Sequence, residues 1–146
     1  MRLTLAWIGK SKDAAIAALT AEYIKRLQRY IAVEGRELGD PSALIKLVSR
    51  SARTVPVLVL LDSRGKQLSS EEFAEFIRDR RDRGSQELIL AIGPANGWSD
   101  ETRKRADVLL SLGKMTLPHE LARVVLAEQL YRAFTILAGH PYHSGH

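Results

Sequence analysis

The stretch from Val55 to Asp62 reads VPVLVLLD and gives the strongest indication of the fold. Residues 57–61 are apolar without interruption, which is typical of a strand covered on both faces of a sheet. Pro56 stands near the start of this run, where a strand tolerates it. A second run of the same type, ELILAI, occupies Glu87 to Ile92. Together they predict an α/β fold with a mainly parallel sheet flanked by helices.

Strands and helices alternate on both sides of these runs. We predict a first strand containing Leu3, Leu5 and Trp7, a helix over residues 12–30, a strand over residues 31–38 and a short helix from Gly39–Ser42 to about Arg50. Beyond Asp62 we predict a turn at Ser63–Lys66, a helix opened by Ser69–Glu72 and stopped by Gly84, a short helix from Ser99, a last strand at Asp107–Leu112 and a long helix at His119–Leu137. No linker or repeat interrupts the series, so we expect a single domain over residues 1–146.

The last predicted helix is apolar around most of its circumference. Its apolar residues include Leu121, Val124, Val125, Leu126, Leu130, Phe134 and Leu137. A helix of this kind is buried on more than one side. In a chain of this size, that favours a subunit interface.

Composition excludes several classes of protein. The 146 residues contain no cysteine, which rules out disulfide scaffolds, zinc sites with Cys ligands, iron–sulfur clusters and thiolate catalysis. The 22 basic and 17 acidic side chains give a net charge of +5, which is compatible with a polyanionic partner or simply with solubility. Met1 leads directly into a strand pattern, and the apolar runs fall short of the roughly 20 residues of a membrane helix. We therefore expect a cytoplasmic protein with no membrane partner.

The common nucleotide and hydrolase motifs are missing from the sequence. It has no GxGxxG, no GxxxxGK[ST] and no GxSxG, and Arg123 replaces the second histidine of an HExxH motif. Glycine-bearing loops do follow three predicted strands, at Leu61–Lys66, Gly93–Gly97 and Gly113–Pro118. Ligands bind at the carboxyl ends of parallel strands, so these loops could surround an adenosine-containing cofactor. Their spacing alone favours ordinary turns.

The C-terminal segment Gly139–His146 holds three of the four histidines in an HxxHxxH pattern. Pro141 prevents a regular helix there, and metal ligands need a rigid frame, so we expect no metal site. An aromatic side chain and imidazoles near Arg132 suit stacking on a base and contact with phosphate. The alternative is a frayed terminus without a role.

Three segments of the last third are more specific: TLPHELAR at residues 116–123, EQLYRA at residues 128–133 and HPYH at residues 140–143. In this order they resemble the ribosomal RNA large subunit methyltransferase H family of the SPOUT class. The resemblance extends to the Gly9-Lys10 turn and to Leu61-Asp62. It implies a C-terminal trefoil knot, a homodimer and S-adenosylmethionine-dependent methylation of N3 of a pseudouridine in 23S ribosomal RNA, in the ribosome or as free RNA, without a metal.

The resemblance also implies site residues. The cofactor would be bound by Leu61, Gly93, Pro94, Gly97, Gly113, Lys114, Met115, Thr116, Leu117 and Pro118. Arg132, Tyr142 and His143 would be the catalytic residues and would face the RNA nucleotide, with help from the partner subunit. His143 could accept the N3 proton, or Arg132 could stabilise the ring anion with water as the base. The loop GPANG departs from the family pattern of two consecutive glycines followed later by an acidic residue. Because Pro94 lacks an N–H, any contact there must use its carbonyl or ring.

Two other functions stay open at this point. In the first, the altered GPANG loop weakens cofactor binding, and the chain is a non-catalytic RNA-binding protein with the same fold. A SPOUT methyltransferase with a different RNA target would share the same motifs.

Overall fold

A computed structural model describes residues 1–50 and 54–145. Its elements are, in order, β1 (Arg2–Ile8), α1 (Ala14–Leu27), β2 (Ala32–Leu38), α2 (Pro41–Ser49), β3 (Val57–Gln67), α3 (Ser70–Asp82), β4 (Glu87–Ile92), α4 (Asp100–Lys104), β5 (Val108–Ser111), α5 (His119–Leu137) and a 3-10 turn (His143–Gly145). The predicted succession of strands and helices is confirmed, and α5 has the predicted bounds.

The sheet is parallel throughout, in the order β2-β1-β4-β3-β5. Successive side chains of the central strands enter opposite cores. Leu3, Val59 and Leu90 face a core completed by α1, α3 and α5, whereas Leu58 and Ile89 face one completed by α2 and Trp98. The predicted α/β class is therefore correct. The trefoil knot and the single-domain organisation stay predictions.

Side-chain caps explain where α1, α2 and α3 begin. The Asp13 carboxylate accepts from the backbone N–H of Ala15 at 2.8 Å, so α1 begins at Ala14, after the predicted start at residue 12. Asp40 caps α2 in the same way, directly before Pro41. Ser69 caps α3 in a capping box with Glu72.

The prediction that the strand ends in a turn at Ser63–Lys66 is wrong. The chain makes a bulge there and β3 then continues, as shown by the pairing of both Leu61 and Lys66 with Leu110 of β5. The backbone approach at Gly65 is close. A Cβ on this residue would lie 2.5 Å from the carbonyl carbon of Leu109, so only glycine fits between the two strands.

Helix α5 uses its wide apolar surface inside the chain. It packs against α1 on one side and α3 on the other, and Leu126, Leu130 and Phe134 are buried between them. The apolar circumference is thus largely explained without a second subunit. Leu121, which is 42% exposed, and Met115, which is 86% exposed, remain outside this packing.

Among the helices within residues 1–50 and 54–145, none combines the length and apolar character needed to cross a bilayer.

Candidate active site

The β3 bulge and the loops that follow β4 and β5 line one cleft of about 470 Å³. They meet because the carboxyl ends of parallel strands share one edge of the sheet. Nine of the ten residues predicted to bind a cofactor line this cleft: Leu61, Gly93, Pro94, Gly97, Gly113, Lys114, Met115, Thr116 and Leu117. The tenth, Pro118, is the N-cap residue of α5. The structure therefore brings the three predicted loops together.

The loop after β4 is shaped by Trp98, which the sequence analysis did not single out. Its indole is buried, and Nε1 donates a hydrogen bond to the carbonyl oxygen of Leu61 at 3.0 Å. Gly93 lies against this ring, since a Cβ there would be 2.8 Å from Cε2 of Trp98. Gly97 has a φ of +82° and donates to the Pro94 carbonyl at 2.8 Å, which closes the turn.

An ion pair that the sequence did not predict joins the β3 bulge to α4 in the wall of the cleft. Oδ2 of Asp62 accepts from Nε of Arg103 at 2.6 Å, and Oδ1 accepts from the backbone N–H of Arg64 at 2.8 Å. The Asp62 side chain is only 4% exposed. Burial raises the pKa of this carboxyl, but the two hydrogen bonds and the Arg103 charge outweigh burial, so its pKa lies below the ordinary value. Asp62 is therefore an ionised, paired carboxylate in the cleft wall.

The loop after β5 has no regular secondary structure. Gly113 begins it with a φ of +143°, and the Ser111 hydroxyl donates to the Gly113 carbonyl at 2.9 Å. Lys114, Met115 and Thr116 are exposed. This side of the cleft is open in one chain.

The predicted RNA-facing residues meet at the other end of α5. We call Glu128, Arg132, Tyr142 and His143 the C-terminal cluster. Oε1 of Glu128 accepts from Nε of Arg132 at 3.0 Å, from Nη2 of Arg132 at 2.6 Å and from the Tyr142 hydroxyl at 2.9 Å. Glu128 is the centre of the cluster, although the sequence analysis quoted it only as part of a motif.

Tyr142 is held by its ring as well as by its hydroxyl. The guanidinium carbon of Arg132 lies 5.0 Å from the ring centroid, and the Tyr131 ring makes an edge contact at 4.8 Å. Burial and the hydrogen bond to Glu128 raise the pKa of the Tyr142 hydroxyl to about 12. This residue is therefore neutral at physiological pH and is suited to binding rather than to proton transfer.

His143 bridges two charged side chains. Its Nδ1 lies 3.0 Å from Nη1 of Arg132, and its Nε2 lies 2.5 Å from Oε1 of Glu71. Glu71, in the first turn of α3, did not figure as a site residue in the sequence analysis. Both ring nitrogens are thus engaged by side chains of the same chain.

The HxxHxxH pattern of the tail is described only as far as its first two histidines, His140 and His143. Within residues 1–50 and 54–145, no three His, Cys, Asp or Glu side chains are grouped closely enough to hold a metal ion. His140 is used locally, because its Nδ1 accepts from the backbone N–H of Tyr142 at 3.1 Å. His146 lies outside the described residues.

The cleft and the C-terminal cluster of one chain lie far apart. His119 borders the cleft at the start of α5, whereas Arg132 lies near the end of the same helix. At a rise of about 1.5 Å per residue, these two positions are roughly 20 Å apart along the axis. The structure therefore does not place Arg132, Tyr142 and His143 in the cleft of their own chain.

Between these two regions, α5 holds a buried arginine. Arg123 is 1% exposed, and its guanidinium carbon lies 4.3 Å from the Trp7 ring centroid. Its Nε and Nη2 have no hydrogen-bond partner among the described residues. Desolvation lowers the pKa of this guanidinium, while Glu120 and Glu37 partly offset that effect.

Comparison with known proteins gives consistent matches over nearly the whole chain. A family profile described as "Predicted SPOUT methyltransferase" matches residues 1–143. A ribosomal RNA large subunit methyltransferase H from Koribacter versatilis (strain Ellin345) is 63% identical over 146 residues, which is 100% of both chains. The protein of the same name from Geobacter sulfurreducens is 42% identical and aligns with 98% of this chain and 99% of its own.

A solved structure supports the fold. The SpoU methyltransferase AviRb from Streptomyces viridochromogenes, in complex with the cofactor AdoMet, superposes with a TM-score of 0.58 at 17% identity. The match covers 94% of this chain and 58% of that one. The profile and the relatives go further than the fold: this chain is a methyltransferase of the SPOUT class and belongs to the ribosomal RNA large subunit methyltransferase H family.

Proposed function

We propose that this enzyme transfers a methyl group from S-adenosylmethionine to N3 of a pseudouridine in large-subunit ribosomal RNA. The main support is the meeting of the three predicted loops in one cleft of about 470 Å³. That volume lies within the usual range for small-molecule sites. The names of the relatives and the order of the TLPHELAR, EQLYRA and HPYH segments support the RNA substrate. A cytoplasmic location follows from the same proposal.

The cleft residues fit an adenosine-containing cofactor. Leu61 and Trp98 supply apolar wall, and the glycines let backbone groups approach a ligand closely. Pro94 contributes its ring or carbonyl, so the departure of GPANG from the family pattern leaves the cleft intact. When bound, S-adenosylmethionine supplies an electrophilic methyl group on a sulfonium.

We propose a homodimer in which the C-terminal cluster of a second copy completes each cleft. The roughly 20 Å along α5 between His119 and Arg132 supports this arrangement, because one chain cannot join its own two regions. Met115, at 86% exposure on the open side of the cleft, is an apolar surface for a partner to cover. The net charge of +5 per chain doubles in such a pair, which aids contact with a polyanion.

In this arrangement the protein's main task is positioning. The attacking nitrogen must lie in line with the methyl group at about 3–3.5 Å, and correct orientation provides much of the rate. Tyr142 and Arg132 would stack on the base and bind phosphate. The N3 proton must also leave, either to His143 or to water while Arg132 stabilises the ring anion.

A methyl-transfer assay tests the proposal. The enzyme, labelled cofactor and ribosomes or subunits from a strain lacking the enzyme are mixed, with free ribosomal RNA offered in parallel. We expect label in the large-subunit RNA, and mass spectrometry should place it on N3 of a pseudouridine. RNA binding without label would favour the non-catalytic alternative. Label at another nucleotide would favour a different RNA target, and no S-adenosylmethionine binding in calorimetry would exclude the proposal.

His143→Ala separates the two halves of the proposed site. We expect methyl transfer to fall by about 100-fold, in the range for loss of a proton-transfer group, with cofactor affinity unchanged within about twofold. Calorimetry and the transfer assay measure the two quantities on the same sample. An equal loss of cofactor affinity would contradict the assignment of the C-terminal cluster to the RNA side.

A further inference from the structure

We propose that Glu71 is a positioning residue that fixes His143 in the tautomer with the proton on Nε2 and the lone pair on Nδ1. This inference rests on the proposed function, in which His143 faces the RNA nucleotide. It adds a residue from α3 to a site that the motifs placed entirely in the last third of the chain.

The two neighbours of His143 require the same tautomer. Arg132 has only N–H donors, so the Nδ1 atom 3.0 Å from its Nη1 must be the acceptor. The carboxylate of Glu71 only accepts when ionised, so the Nε2 atom 2.5 Å from its Oε1 must carry the proton. An imidazole placed between a guanidinium and a carboxylate therefore has one consistent neutral form.

Glu71 is well placed to remain ionised. It lies in the first turn of α3, where the helix dipole favours a negative charge. The hydrogen bond from His143 and the bond from its own backbone N–H lower the pKa of the Glu71 carboxyl. Its side chain is 63% exposed, so this pair adds little to the stability of the fold. Its effect is on the orientation of the imidazole.

The tautomer determines which nitrogen can meet the substrate. In the free protein, Arg132 donates to Nδ1 of His143, and Nε2 on the opposite side of the ring donates to Glu71. When a nucleotide draws Arg132 away, Nδ1 presents its lone pair. If His143 is the base, the N3–H bond breaks, an Nδ1–H bond forms and the electron pair stays on N3. The Glu71 carboxylate then stabilises the resulting imidazolium, as a carboxylate does in other histidine-based sites.

Two substitutions of Glu71 separate charge from tautomer. In Glu71→Gln, the amide oxygen can still accept from Nε2–H, so the tautomer is kept while the charge is lost. In Glu71→Ala both are lost. Glu75→Ala is the matched control, because Glu75 lies one turn further along α3 and pairs with Arg78 instead.

The direct measurement is nitrogen NMR of the full-length protein labelled with ¹⁵N-histidine, with His143→Gln assigning the His143 signals. We expect wild type, Glu71→Gln and Glu75→Ala to show a protonated Nε2 and an unprotonated Nδ1. Glu71→Ala should show a mixture of the two tautomers. A protonated Nδ1 in wild type, or an unchanged tautomer in Glu71→Ala, would overturn the proposal.

Kinetics provide the second measurement. We expect kcat for methyl transfer to fall about tenfold in Glu71→Ala and about threefold in Glu71→Gln, with KM for S-adenosylmethionine unchanged and Glu75→Ala equal to wild type. An unchanged kcat in Glu71→Ala would overturn the role in positioning. If wild type itself transferred no methyl group, the proposed function would fail, whereas the NMR result would still decide what Glu71 does to His143.

Discussion

The cleft and the C-terminal cluster occupy opposite ends of α5 and are built in opposite ways. The cleft is made of loops whose small residues and backbone groups surround open space. The cluster is made of long side chains that bond to one another, with a single oxygen of Glu128 accepting three hydrogen bonds. The cleft can accept a ligand as it stands. The polar groups of the C-terminal cluster are already hydrogen-bonded within the chain, so some of these bonds must break before the cluster binds a ligand.

This difference indicates which region controls substrate entry. A preformed cleft lets the cofactor bind without prior rearrangement. Arg132, in contrast, must exchange its contacts with His143 and Glu128 for contacts with RNA, while His143 keeps its contact with Glu71. The following changes test this contrast.

Removal of residues 140–146 should have the largest effect. The variant lacks Tyr142 and His143 but keeps every residue that lines the cleft. We expect methyl transfer to fall by at least about 100-fold and S-adenosylmethionine affinity to stay within about twofold of wild type. The transfer assay and calorimetry check this. If the truncated chain lost S-adenosylmethionine affinity by the same factor as methyl-transfer activity, the two regions would not have separate roles.

Gly93→Ala should damage the opposite region. The new Cβ would lie 2.8 Å from Trp98, so the ring must move and its bond to the Leu61 carbonyl weakens. We expect about a tenfold loss in cofactor affinity and about 1–3 kcal/mol in the free energy of unfolding. Gly39→Ala is the control, because nothing lies within 4 Å of a Cβ there. If Gly93→Ala and Gly39→Ala had the same cofactor affinity and the same stability, the cleft would accommodate a shift of the Trp98 ring without loss.

Asp62→Asn tests whether the ion pair holds the β3 bulge and α4 together at the cleft. It leaves the Arg103 guanidinium, 18% exposed, without its main charged partner. We expect a loss of about 2–3 kcal/mol in the free energy of unfolding at neutral pH. The folded pKa of Asp62 lies below its ordinary value of 3.8, so its contribution is complete above that pH and disappears as the pH falls below it.

Chemical denaturation of both proteins over a pH series measures this difference. It should shrink toward zero in acid. Asp100→Asn removes the other partner of Arg103, but that carboxylate is 83% exposed, so we expect less than about 1 kcal/mol. A difference that persisted at low pH would rule out the ion pair as its source.

Arg123→Met should have the smallest effect, within about 1 kcal/mol of wild type or slightly stabilising. A buried guanidinium with two nitrogens that lack a partner among the described residues is costly, and an apolar side chain of similar length removes that cost. Arg123→Lys should be less stable than Arg123→Met, since it keeps a charge and loses the planar contact with Trp7. Thermal unfolding ranks the three proteins, and a large loss in Arg123→Met would show that the charge itself holds α5.

The sequence predicted the cleft better than the cluster, for a physical reason. The apolar runs and the glycines at Gly93, Gly97 and Gly113 are local signals in the sequence. Parallel strands bring their carboxyl ends to one edge of the sheet whatever side chains they carry. Pairs such as Asp62–Arg103 and Glu71–His143 depend on how distant segments pack, and no local pattern encodes that. The β3 bulge at residues 62–65 escaped prediction because its turn-like residues gave no sign that Lys66 pairs again with Leu110.

The position of α5 in the fold also affects how the protein matures. Leu126, Leu130 and Phe134 complete the core between α1 and α3, yet α5 comes after all five strands in the chain. While α5 is still inside the ribosome, the sheet has one face without its central helix and exposes apolar surface. The core can therefore close only once α5 has left the ribosome, and until then the protein depends most on protection from aggregation.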